Sequence, residues 1–521
     1  MEKIRYCFLG LISFIFGVVV FSCNDDSGNR ENYNWGDFDS SNNEYVNNWM
    51  ISNMRDYYYW NNTMPNNNSL NFKIDPYNFF DGLLYDKDRF SRMEGTHLNV
   101  PKAATVSDLG FEYISVRFFN KSGEYLFRGL VVTYVKKGTN AEQAGIKRGF
   151  IIMSVDGNNV SDSNWYSLLA QNKASYNIEY YANLTDMETS YAQNMTINTT
   201  PGYVESPIHL SKILNIDGHK IGYLAYNSFD AGGEKLKPYD VELVQIFDEF
   251  RKSGIRDLVL DLRYNGGGSV RSAEYIGSAL VPNRSTEKIF EIETYNPGLQ
   301  GILDEMSDSD PTKQRQMYIY FRDKIETNNV VLAKIPRLGD QLNSLCFLVT
   351  KQTASASEML INTLTPYYEE VGKEVIIIGK QTLGKNLGSW LFYEEDDPKN
   401  PYALWPIVFR SHNKLYNKDN PEASSNYASG FEPTIDLNEL DELDEGLKEL
   451  GDKEEMLLNA AIVKITTGLS PLSVPKKDRE TKILPMETNE NYGKRGTMFR
   501  NKAELNISDL KSLKEKAAVN E

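Results

Sequence analysis

The sequence predicts a multidomain α+β protein, and three observations lead to this prediction. Its 521 residues are too many for a single hydrophobic core and suggest about three or four domains. Hydrophobic residues make up 40% and charged residues 25% of the chain, which is typical of a globular protein. The hydrophobic pattern also changes twice along the chain, from helical spacing to short strands and then to strands that alternate with helices.

The chain carries a formal net charge of −16, which argues against a nucleic-acid partner. Domains that bind nucleic acid are basic, whereas this chain has 56 Lys and Arg against 72 Asp and Glu. Its four histidines and three cysteines form neither an HExxH motif nor cysteine pairs, so the sequence predicts no metal site. No cofactor is predicted either.

Residues 1–23 have the pattern of a lipoprotein signal peptide. Lys3 and Arg5 precede an apolar run at residues 8–21, which has the length of a signal peptide's central region and is short for a membrane span. Cys23 follows Ser22 at the predicted cleavage point, and this ending resembles the bacterial lipobox, in which the cysteine becomes the lipidated N-terminus. A short membrane anchor is the alternative, and both interpretations place the mature chain at a membrane.

Residues 24–43 are predicted to be a flexible tether. They are polar and rich in Asn, Asp, Gly and Ser, a composition typical of linkers. The acidic start at residues 24–26 favours the outer membrane, on its periplasmic or surface face, because such residues influence lipoprotein sorting in some bacteria. Cys346 remains alone once Cys23 carries lipid, so no disulfide is expected, and its apolar neighbours predict an inert core thiol.

Residues 44–100 are predicted to form a small helical module at the start of the globular region. Large apolar side chains recur there at near-helical spacing: Trp49, Met50, Met54, Tyr57, Tyr58 and Trp60. We expect them to form the module's core and its contact with the following domain, because large aromatic residues are mostly buried. An aromatic patch that binds a ligand is the alternative.

Residues 105–200 are predicted to form a β module with one helical insert. Strands are expected at residues 130–135 and 150–155, where β-branched residues are dense. The insert is expected at residues 141–145, and a turn at residues 156–158 follows the second strand.

Three segments of this module resemble a PDZ domain of the bacterial, protease-linked type. They are Leu109-Gly110-Phe111, Ala-Glu-Gln-Ala-Gly-Ile and Ile-Ile-Met-Ser-Val-Asp-Gly. The resemblance implies that Leu109, Gly110 and Phe111 form a loop whose N–H groups bind a peptide's terminal carboxylate, while the peptide adds a strand to the sheet edge. A β module without ligand, in which Gly110 is only a turn residue, is the alternative.

Residues 205–465 are predicted to form an α/β core with a partly parallel sheet, because strands alternate with helices there. Residues 221–226 and 258–262 have the apolar pattern of strands. Apolar residues within 240–252 recur at i, i+4 and i+7, which indicates an amphipathic helix.

Three adjacent glycines, Gly266, Gly267 and Gly268, follow the strand at residues 258–262. Such a run is costly in chain entropy, so the site needs positive φ angles or a close approach of the backbone to another group. A tight turn, a phosphate loop and an oxyanion hole are the alternatives. A phosphate loop would continue with Gly-Lys-Ser/Thr, which is lacking here.

Ser355 is the candidate nucleophile. It lies within residues 353–358, between an apolar run at residues 345–350 and a helix predicted at residues 358–364. Unpaired N–H groups at a helix start stabilise nearby negative charge, which suits a nucleophile. An ordinary helix cap is the alternative, because Ser and Thr before Glu also form capping boxes.

A serine hydroxyl needs a base that removes its proton, and a lysine is the candidate base here. None of the four histidines shares a motif with Ser355. A lysine can act as a base if burial lowers its pKa towards neutrality. Lys385, which follows Gly384 at a turn, is the candidate, and Lys380, directly after the apolar strand at residues 375–379, is the competitor.

Four segments, in their order along the chain, resemble the signature blocks of the C-terminal processing (tail-specific) protease family, peptidase family S41. The segments are residues 223–229, 261–268, 353–358 and 382–385. Together with the helical start, the PDZ-like segment and residues 430–433, the resemblance covers roughly residues 44–465. It implies an α/β protease core of the ClpP/crotonase-like kind.

The resemblance also implies roles for single residues. The family's nucleophile falls on Ser355, its base on Lys385, and its oxyanion donors on the backbone N–H groups of Ala356 and Gly267. Many members have a Gln four residues after the lysine to orient it, and here Ser389 takes that position as the candidate orienter.

The function implied by the resemblance is that of a membrane-tethered serine endopeptidase. Such an enzyme would capture C-terminal tails of protein substrates through the PDZ-like module and cleave peptide bonds with a Ser–Lys dyad. A catalytically weak or inactive peptide-binding scaffold is the alternative, because Ser389 replaces the usual Gln. An acyl-CoA enzyme of the crotonase type is a third interpretation, which the PDZ-like segment disfavours.

Residues 466–521 are predicted to be a charged C-terminal tail. A helix is expected before it at residues 454–467, and one further helix near residues 508–518. The rest is expected to be loosely packed, because solvated charge is the default interpretation of such a stretch.

Overall fold

The computed structural model describes most of the chain between the predicted leader and the predicted tail. The described residues are 40–95, 107–120, 122–171, 173–233, 235–309, 317–394, 397–470, 481–485 and 499–500. The predicted signal peptide with Cys23, residues 24–39 of the predicted tether, and the predicted helix near residues 508–518 lie outside the described residues. None of the helices within these ranges is long and apolar enough to cross a membrane.

The helices are distributed over the whole described chain. They are α1 (Asn43–Tyr57), α2 (Pro76–Asp81), α3 (Asn140–Ala144), α4 (Leu184–Thr189), α5 (Pro238–Lys252), α6 (Val270–Leu280), α7 (Pro297–Ser309), α8 (Ala356–Glu369) and α9 (Met456–Thr467). The helices predicted at residues 141–145, 240–252 and 454–467 are confirmed by α3, α5 and α9. The helix predicted at residues 358–364 is α8, which begins two residues earlier and extends further because buried contacts continue along it.

The N-terminal module packs against the core through one face of α1. Val46, Met50 and Met54 lie at i, i+4 and i+8 on that face and are fully buried. The ring of Tyr57 lies 5.5 Å from the ring of Trp390 in the core. The prediction that these large side chains form the module's core and its contact with the next domain is confirmed. Strand β1 (Arg92–Gly95) then joins the module to the core.

The β module is built from antiparallel strands. They are β2 (Ser107–Asp108), β3 (Phe111–Asn120), β4 (Tyr125–Val135), β5 (Ile151–Val155), β6 (Asn158–Asn159), β7 (Ser175–Tyr181), β8 (Gln193–Asn198) and β9 (Thr200–Pro201). The sheet order is β3-β4-β5-β7-β8, and the strands predicted at residues 130–135 and 150–155 are confirmed by β4 and β5. Alternate residues of the strands enclose a core that includes Phe111, Leu130 and Ile178.

The protease-like core contains the remaining strands up to the predicted tail. They are β10 (Ile208–Ile216), β11 (His219–Tyr226), β12 (Asp257–Asp261), β13 (Ile289–Tyr295), β14 (Tyr318–Tyr320), β15 (Lys324–Thr327), β16 (Val330–Lys334), β17 (Ser344–Val349), β18 (Val375–Gly379), β19 (Leu387–Trp390), β20 (Tyr402–Trp405), β21 (Ile407–His412) and β22 (Ile435–Asp436). The main sheet has the order β10-β11-β12-β17-β18-β22. Strands β11 to β22 of this sheet are parallel and β10 is antiparallel, so the predicted partly parallel sheet is confirmed.

The parallel strands place three loops at the same edge of the main sheet. Strands β12 and β17 are almost entirely buried because α6 and α8 cover one face of the sheet and α9 covers the other, and their central residues are apolar. The chain leaves β12, β17 and β18 at their carboxyl ends, which lie side by side. Loops at this edge of a parallel sheet commonly form binding sites.

Two strands come from the region after α9. Strand β23 (Thr481–Pro485) pairs antiparallel with β3, and β24 (Phe499–Arg500) pairs parallel with β19. These two segments differ from the expectation of a loosely packed tail. Local composition could not predict them, because pairing with distant strands supplies the hydrogen bonds.

Candidate active site

Ser355 lies at the N-terminal end of α8, at the end of the loop that follows β17. Its backbone has φ 62° and ψ −115°, a conformation that costs about 1–3 kcal/mol for a residue with a side chain. The N–H of Ala354 and the Oγ of Ser357 hold the turn by donating to the Asn265 carbonyl, at 3.2 and 3.0 Å. Ser355 is also the N-cap residue of α8, and Glu358 at N3 accepts from its N–H as in a capping box. The cap therefore accounts for part of this geometry, and the role of the buried Ser355 as nucleophile stays a prediction.

Glu358 connects the backbones of both candidate catalytic residues. Its Oε2 accepts hydrogen bonds from the N–H of Ser355 at 2.9 Å and from the N–H of Lys385 at 2.8 Å. Its Oε1 accepts from the N–H of Gly384 at 2.7 Å and from the hydroxyl of Thr382. Burial raises the pKa of this carboxyl, although the four donors act against the increase. The loops after β17 and β18 are therefore held together by one fully buried side chain.

Lys385 is fully buried, and its pKa is strongly displaced. Burial lowers the pKa to about 7, and the positive charge of Arg92 lowers it further, while Asp88 and Glu358 act in the opposite direction. A lysine with this pKa is largely neutral just above pH 7 and can accept a proton.

The N-terminal module supplies part of the surroundings of Lys385. The Nζ of Lys385 lies 5.0 Å from the centre of the Phe90 ring. Phe90 packs with Leu387 and Ile407 of the core in a small apolar cluster. Sequence reasoning missed Phe90 and Arg92, because nothing in their local pattern indicates a contact with a residue almost 300 positions later.

The other basic side chains considered, and the lone cysteine, are engaged or buried elsewhere. Lys380, the predicted competitor, forms an ion pair with Asp436 at 2.6 Å and is 37% exposed. The ring of His412 is hydrogen-bonded to the hydroxyls of Thr294 and Ser424, and burial lowers its pKa to about 4. Cys346 is buried in β17, and burial raises the pKa of its thiol, as expected for an inert core residue.

Gly267 touches the turn that carries Ser355. A Cβ built on Gly267 would lie 2.7 Å from the Cβ of Ser355 and 2.9 Å from the backbone N of Ala356. Gly267 and Gly268 have φ angles of 110° and 138°, so the predicted need for positive φ and close approach is confirmed. The N–H of Gly267 donates to Oδ1 of Asn265 at 2.8 Å, so in this conformation it is already engaged. Its role as an oxyanion donor stays a prediction that requires release of this bond.

Ser389 lies in β19, four residues after Lys385, and is fully buried. Its Oγ makes no hydrogen bond to any residue in the described ranges. Orientation of the Lys385 amine by Ser389 therefore has no support in the geometry and stays a prediction.

The loop predicted to bind a peptide carboxylate lies at the start of β3. Gly110 has a φ of 84°, and a Cβ there would lie 2.7 Å from the Cβ of Ala141, so only glycine fits. Its N–H donates to Oδ1 of Asp108 at 2.7 Å, and Phe111 is buried in the module's core. These contacts explain Gly110 as a turn residue, and peptide binding by Leu109, Gly110 and Phe111 stays a prediction.

A chain of buried ion pairs links the β module to the glycine loop. Arg148 of the β module donates to the hydroxyl of Tyr264 at 3.2 Å and to Glu439. Arg263, the neighbour of Tyr264, donates to both oxygens of Glu455 at 2.6 and 2.9 Å. The loop from Arg263 to the three glycines is therefore in contact both with the β module, through Arg148, and with the core, through Glu439 and Glu455. Sequence reasoning missed this network, because its members lie far apart along the chain.

Comparison with known proteins finds two matching family models and a solved structure of similar fold. The family model of peptidase family S41 matches residues 220–399, and that of the peptidase S41 N-terminal domain matches residues 45–92. A solved structure from Bacteroides fragilis NCTC 9343, assigned to the S41 proteases, has 26% identity and a TM-score of 0.59, and the match covers 81% of this chain and 97% of that one.

Two relatives have similar sequences over part of their length. The chloroplastic C-terminal processing peptidase of Tetradesmus obliquus is 25% identical over 318 residues, which is 58% of this chain and 56% of the relative. The carboxyl-terminal-processing protease of Picosynechococcus sp. (strain ATCC 27264 / PCC 7002 / PR-6) is 23% identical over 257 residues, 49% of this chain and 50% of the relative. The chain thus spans about half the length of the curated relatives it matches.

The fold and the matched domains define the S41 class of peptidases. The chain carries these S41 peptidase domains at residues 220–399 and 45–92, and the resemblance seen in its sequence is confirmed.

Proposed function

We propose that the chain is a serine endopeptidase that cleaves peptide bonds with Ser355 as nucleophile and Lys385 as base. The observation that carries the proposal is the buried Lys385, whose pKa is about 7 and whose backbone shares the Glu358 carboxylate with that of Ser355. The matched S41 peptidase domain and the names of the relatives favour the same activity.

The proposed reaction is an acyl transfer in two steps. Neutral Lys385 takes the proton of the Ser355 hydroxyl, and the serine oxygen attacks the peptide carbonyl carbon. The N–H of Ala356 and the N–H of Gly267, once it is released from Asn265, stabilise the oxyanion. The C–N bond then breaks, and the Lys385 ammonium protonates the leaving amine. Water, deprotonated by Lys385, attacks the acyl ester, and Ser355 regains its proton when the ester C–O bond breaks.

The proposal includes capture of substrate tails and attachment to a membrane. The β module would act as a PDZ domain that takes the C-terminal tail of a protein substrate at Leu109, Gly110 and Phe111. A lipid on Cys23 would tether the enzyme to a bacterial membrane, with the outer membrane favoured. These parts are supported by sequence patterns alone.

The test is cleavage of an unstructured protein that has an apolar C-terminus. We expect Ser355→Ala to lower kcat by at least about 10³-fold without unfolding the chain, because the hydroxyl is the attacking group. Lys380→Ala is the matched control and should keep wild-type turnover, since Lys380 is 37% exposed and its amine pairs with Asp436. Equal turnover by wild type and Ser355→Ala would refute the nucleophile.

A peptide-binding scaffold is the second candidate function. The observation that favours it is the buried Ser389 hydroxyl, which has no hydrogen-bond partner among the described residues. Ser389 therefore does not replace the Gln that orients the catalytic lysine in many S41 peptidases. If the wild type binds the apolar tail but cleaves no substrate, the scaffold replaces the peptidase.

A further inference from the structure

The region after α9 covers two sheet edges. In the pairing of β23 with β3, Thr481 lies opposite Asn120 and Pro485 lies opposite Val116. In the pairing of β24 with β19, Phe499 lies opposite Ser389. Within the described sheets, β3 and β19 would be edge strands without these two partners. An edge strand presents a row of N–H and C=O groups to which an extended peptide can pair.

The direction of β23 is that of a C-terminal tail bound to the β module. Because β23 is antiparallel to β3, it runs towards the start of β3, where Leu109, Gly110 and Phe111 lie. A peptide that adds to β3 with its terminal carboxylate at this loop would run in the same direction. Strand β23 occupies the half of β3 from Val116 to Asn120. A peptide that starts at this loop and pairs along all of β3 needs the same backbone groups there, so only one of the two can be paired with that half.

The second contact brings the same region next to the candidate base. Strand β19 begins two residues after Lys385 and pairs through Ser389 and Trp390 with β24. The region after α9 is therefore paired both at the edge where a substrate tail would bind and beside the strand that follows Lys385.

We propose that the C-terminal region of the chain is an intramolecular competitor of the substrate, and that β23 must leave β3 before a protein tail pairs along the whole of that strand. The inference rests on the proposed function, since it names what regulates the β module and what that module takes: an extended peptide with an apolar, free C-terminus. A segment of the same chain competes at an effective concentration in the millimolar range. The apparent affinity for a substrate tail is then reduced to the fraction of molecules in which β23 is released.

The first experiment measures binding of a fluorescent peptide with an apolar C-terminus, as long as the 10 residues of β3, to the full chain carrying Ser355→Ala, so that the probe is not cut. In an antiparallel strand, N–H groups of alternate residues face the partner, so one of two neighbours donates to β3. The double substitution Lys482→Pro with Ile483→Pro removes that donor, whichever of the two residues supplies it. We expect it to lower the Kd of the peptide at least about tenfold.

The matched control is Lys482→Ala with Ile483→Ala, which changes the same side chains but keeps both backbone N–H groups. It should bind the peptide with wild-type affinity. A proline pair whose Kd is unchanged or higher overturns the inference, and so does an alanine pair that tightens binding as much as the proline pair.

The second experiment locks β23 in place. Asn120 and Thr481 are directly opposed, and the spacing of opposed residues in an antiparallel pair suits a disulfide. In the double variant Asn120→Cys with Thr481→Cys, we expect oxidation to weaken binding of this peptide at least about tenfold and reduction to restore it. Peptide binding that is the same in the oxidised and reduced chain overturns the inference.

Cleavage by the chain with Ser355 intact separates this inference from the proposed function. Cleavage that requires Ser355, combined with no effect of the proline pair on the peptide Kd, overturns the competitor alone. Tighter peptide binding by the proline pair, combined with no cleavage by any form of the chain, overturns the peptidase and supports the competitor.

Discussion

Lys385 at the candidate active site and Lys136 in the β module are buried to a similar extent, with 0% and 3% of their surfaces exposed, yet their pKa values move in opposite directions. Burial disfavours the ammonium form of both. The carboxylates of Asp108, Glu112 and Glu205 lie 2.9 to 3.0 Å from the Lys136 ammonium and raise its pKa well above the ordinary value in spite of burial.

The opposite pKa displacements of Lys385 and Lys136 show that burial alone does not decide the role of a buried lysine. At Lys385 the carboxylates of Asp88 and Glu358 also favour the charged form, but burial and the nearby Arg92 outweigh them and lower the pKa to about 7. Lys136 is therefore a structural cation that holds three carboxylates together, whereas Lys385 has the properties of a base.

The largest expected effect is on kcat, which should fall far more when Lys385 is replaced than when Lys136 is replaced. Lys385→Arg replaces a group that titrates near neutrality with a guanidinium that stays charged, so no base remains for Ser355. We expect kcat on an unstructured protein substrate to fall by about 10²–10⁴-fold. Lys136→Arg, the matched control, keeps its cation and should change kcat only a few-fold. Similar losses in both variants would remove the distinction between base and structural cation.

The second effect separates the lysines by stability. Lys136→Met leaves three carboxylates without their cation, and we expect the free energy of unfolding in urea to fall by about 3–5 kcal/mol. The folded-state pKa of Lys136 is raised, so this stabilisation is complete below the unfolded pKa and is lost only as the pH rises through the folded pKa. Measurements at neutral pH therefore report its full size.

Lys385→Met is expected to have the opposite effect on stability from Lys136→Met. The folded-state pKa of Lys385, about 7, lies below the ordinary 10.5, so the unfolded chain binds more protons between these values and wild-type stability rises with pH there. We expect Lys385→Met to be more stable than the wild type at pH 6, and this advantage to shrink by pH 10. A large loss of stability at pH 6 would show that Lys385 is a paired cation like Lys136.

A smaller effect concerns the carboxylate that joins the two candidate catalytic residues. Glu358→Gln places an amide NH₂ where a carboxylate oxygen accepts two donors, and we expect a loss of about 2–3 kcal/mol in unfolding free energy. Displacement of the backbones of Ser355 and Lys385 should lower kcat more than it raises KM. Glu432→Gln, at an exposed contact with Gln381, is the control and should change neither quantity. Wild-type kcat in Glu358→Gln would refute the positioning role.

The sequence predicted the parts of this account that depend on local pattern. Ser355 and Lys385 each follow an apolar strand of the parallel sheet, and the three glycines follow another, so their meeting at one sheet edge could be expected. Glu358 was visible as part of a capping pattern, but its bonds to Gly384 and Lys385 depend on how two loops fold together.

The remaining contacts depend on residues that are far apart along the chain. Phe90 reaches Lys385 from the N-terminal module, Arg148 reaches Tyr264 from the β module, and β23 pairs with β3. Each of these contacts is fixed by tertiary packing, which no local propensity or spacing reports. The same holds for the partners of Lys136, since Glu205 follows it by almost 70 residues.

The most direct test of the central claim is the pH dependence of kcat/KM for the full chain, on a substrate without groups that titrate between pH 5 and 10. This profile reports the pKa of the essential base in the free enzyme. Because neutral Lys385 is the base, we expect kcat/KM to rise with pH to a plateau with a midpoint near pH 7. A midpoint near the ordinary lysine value of 10.5, or a profile independent of pH, would contradict the assignment of Lys385 as the base.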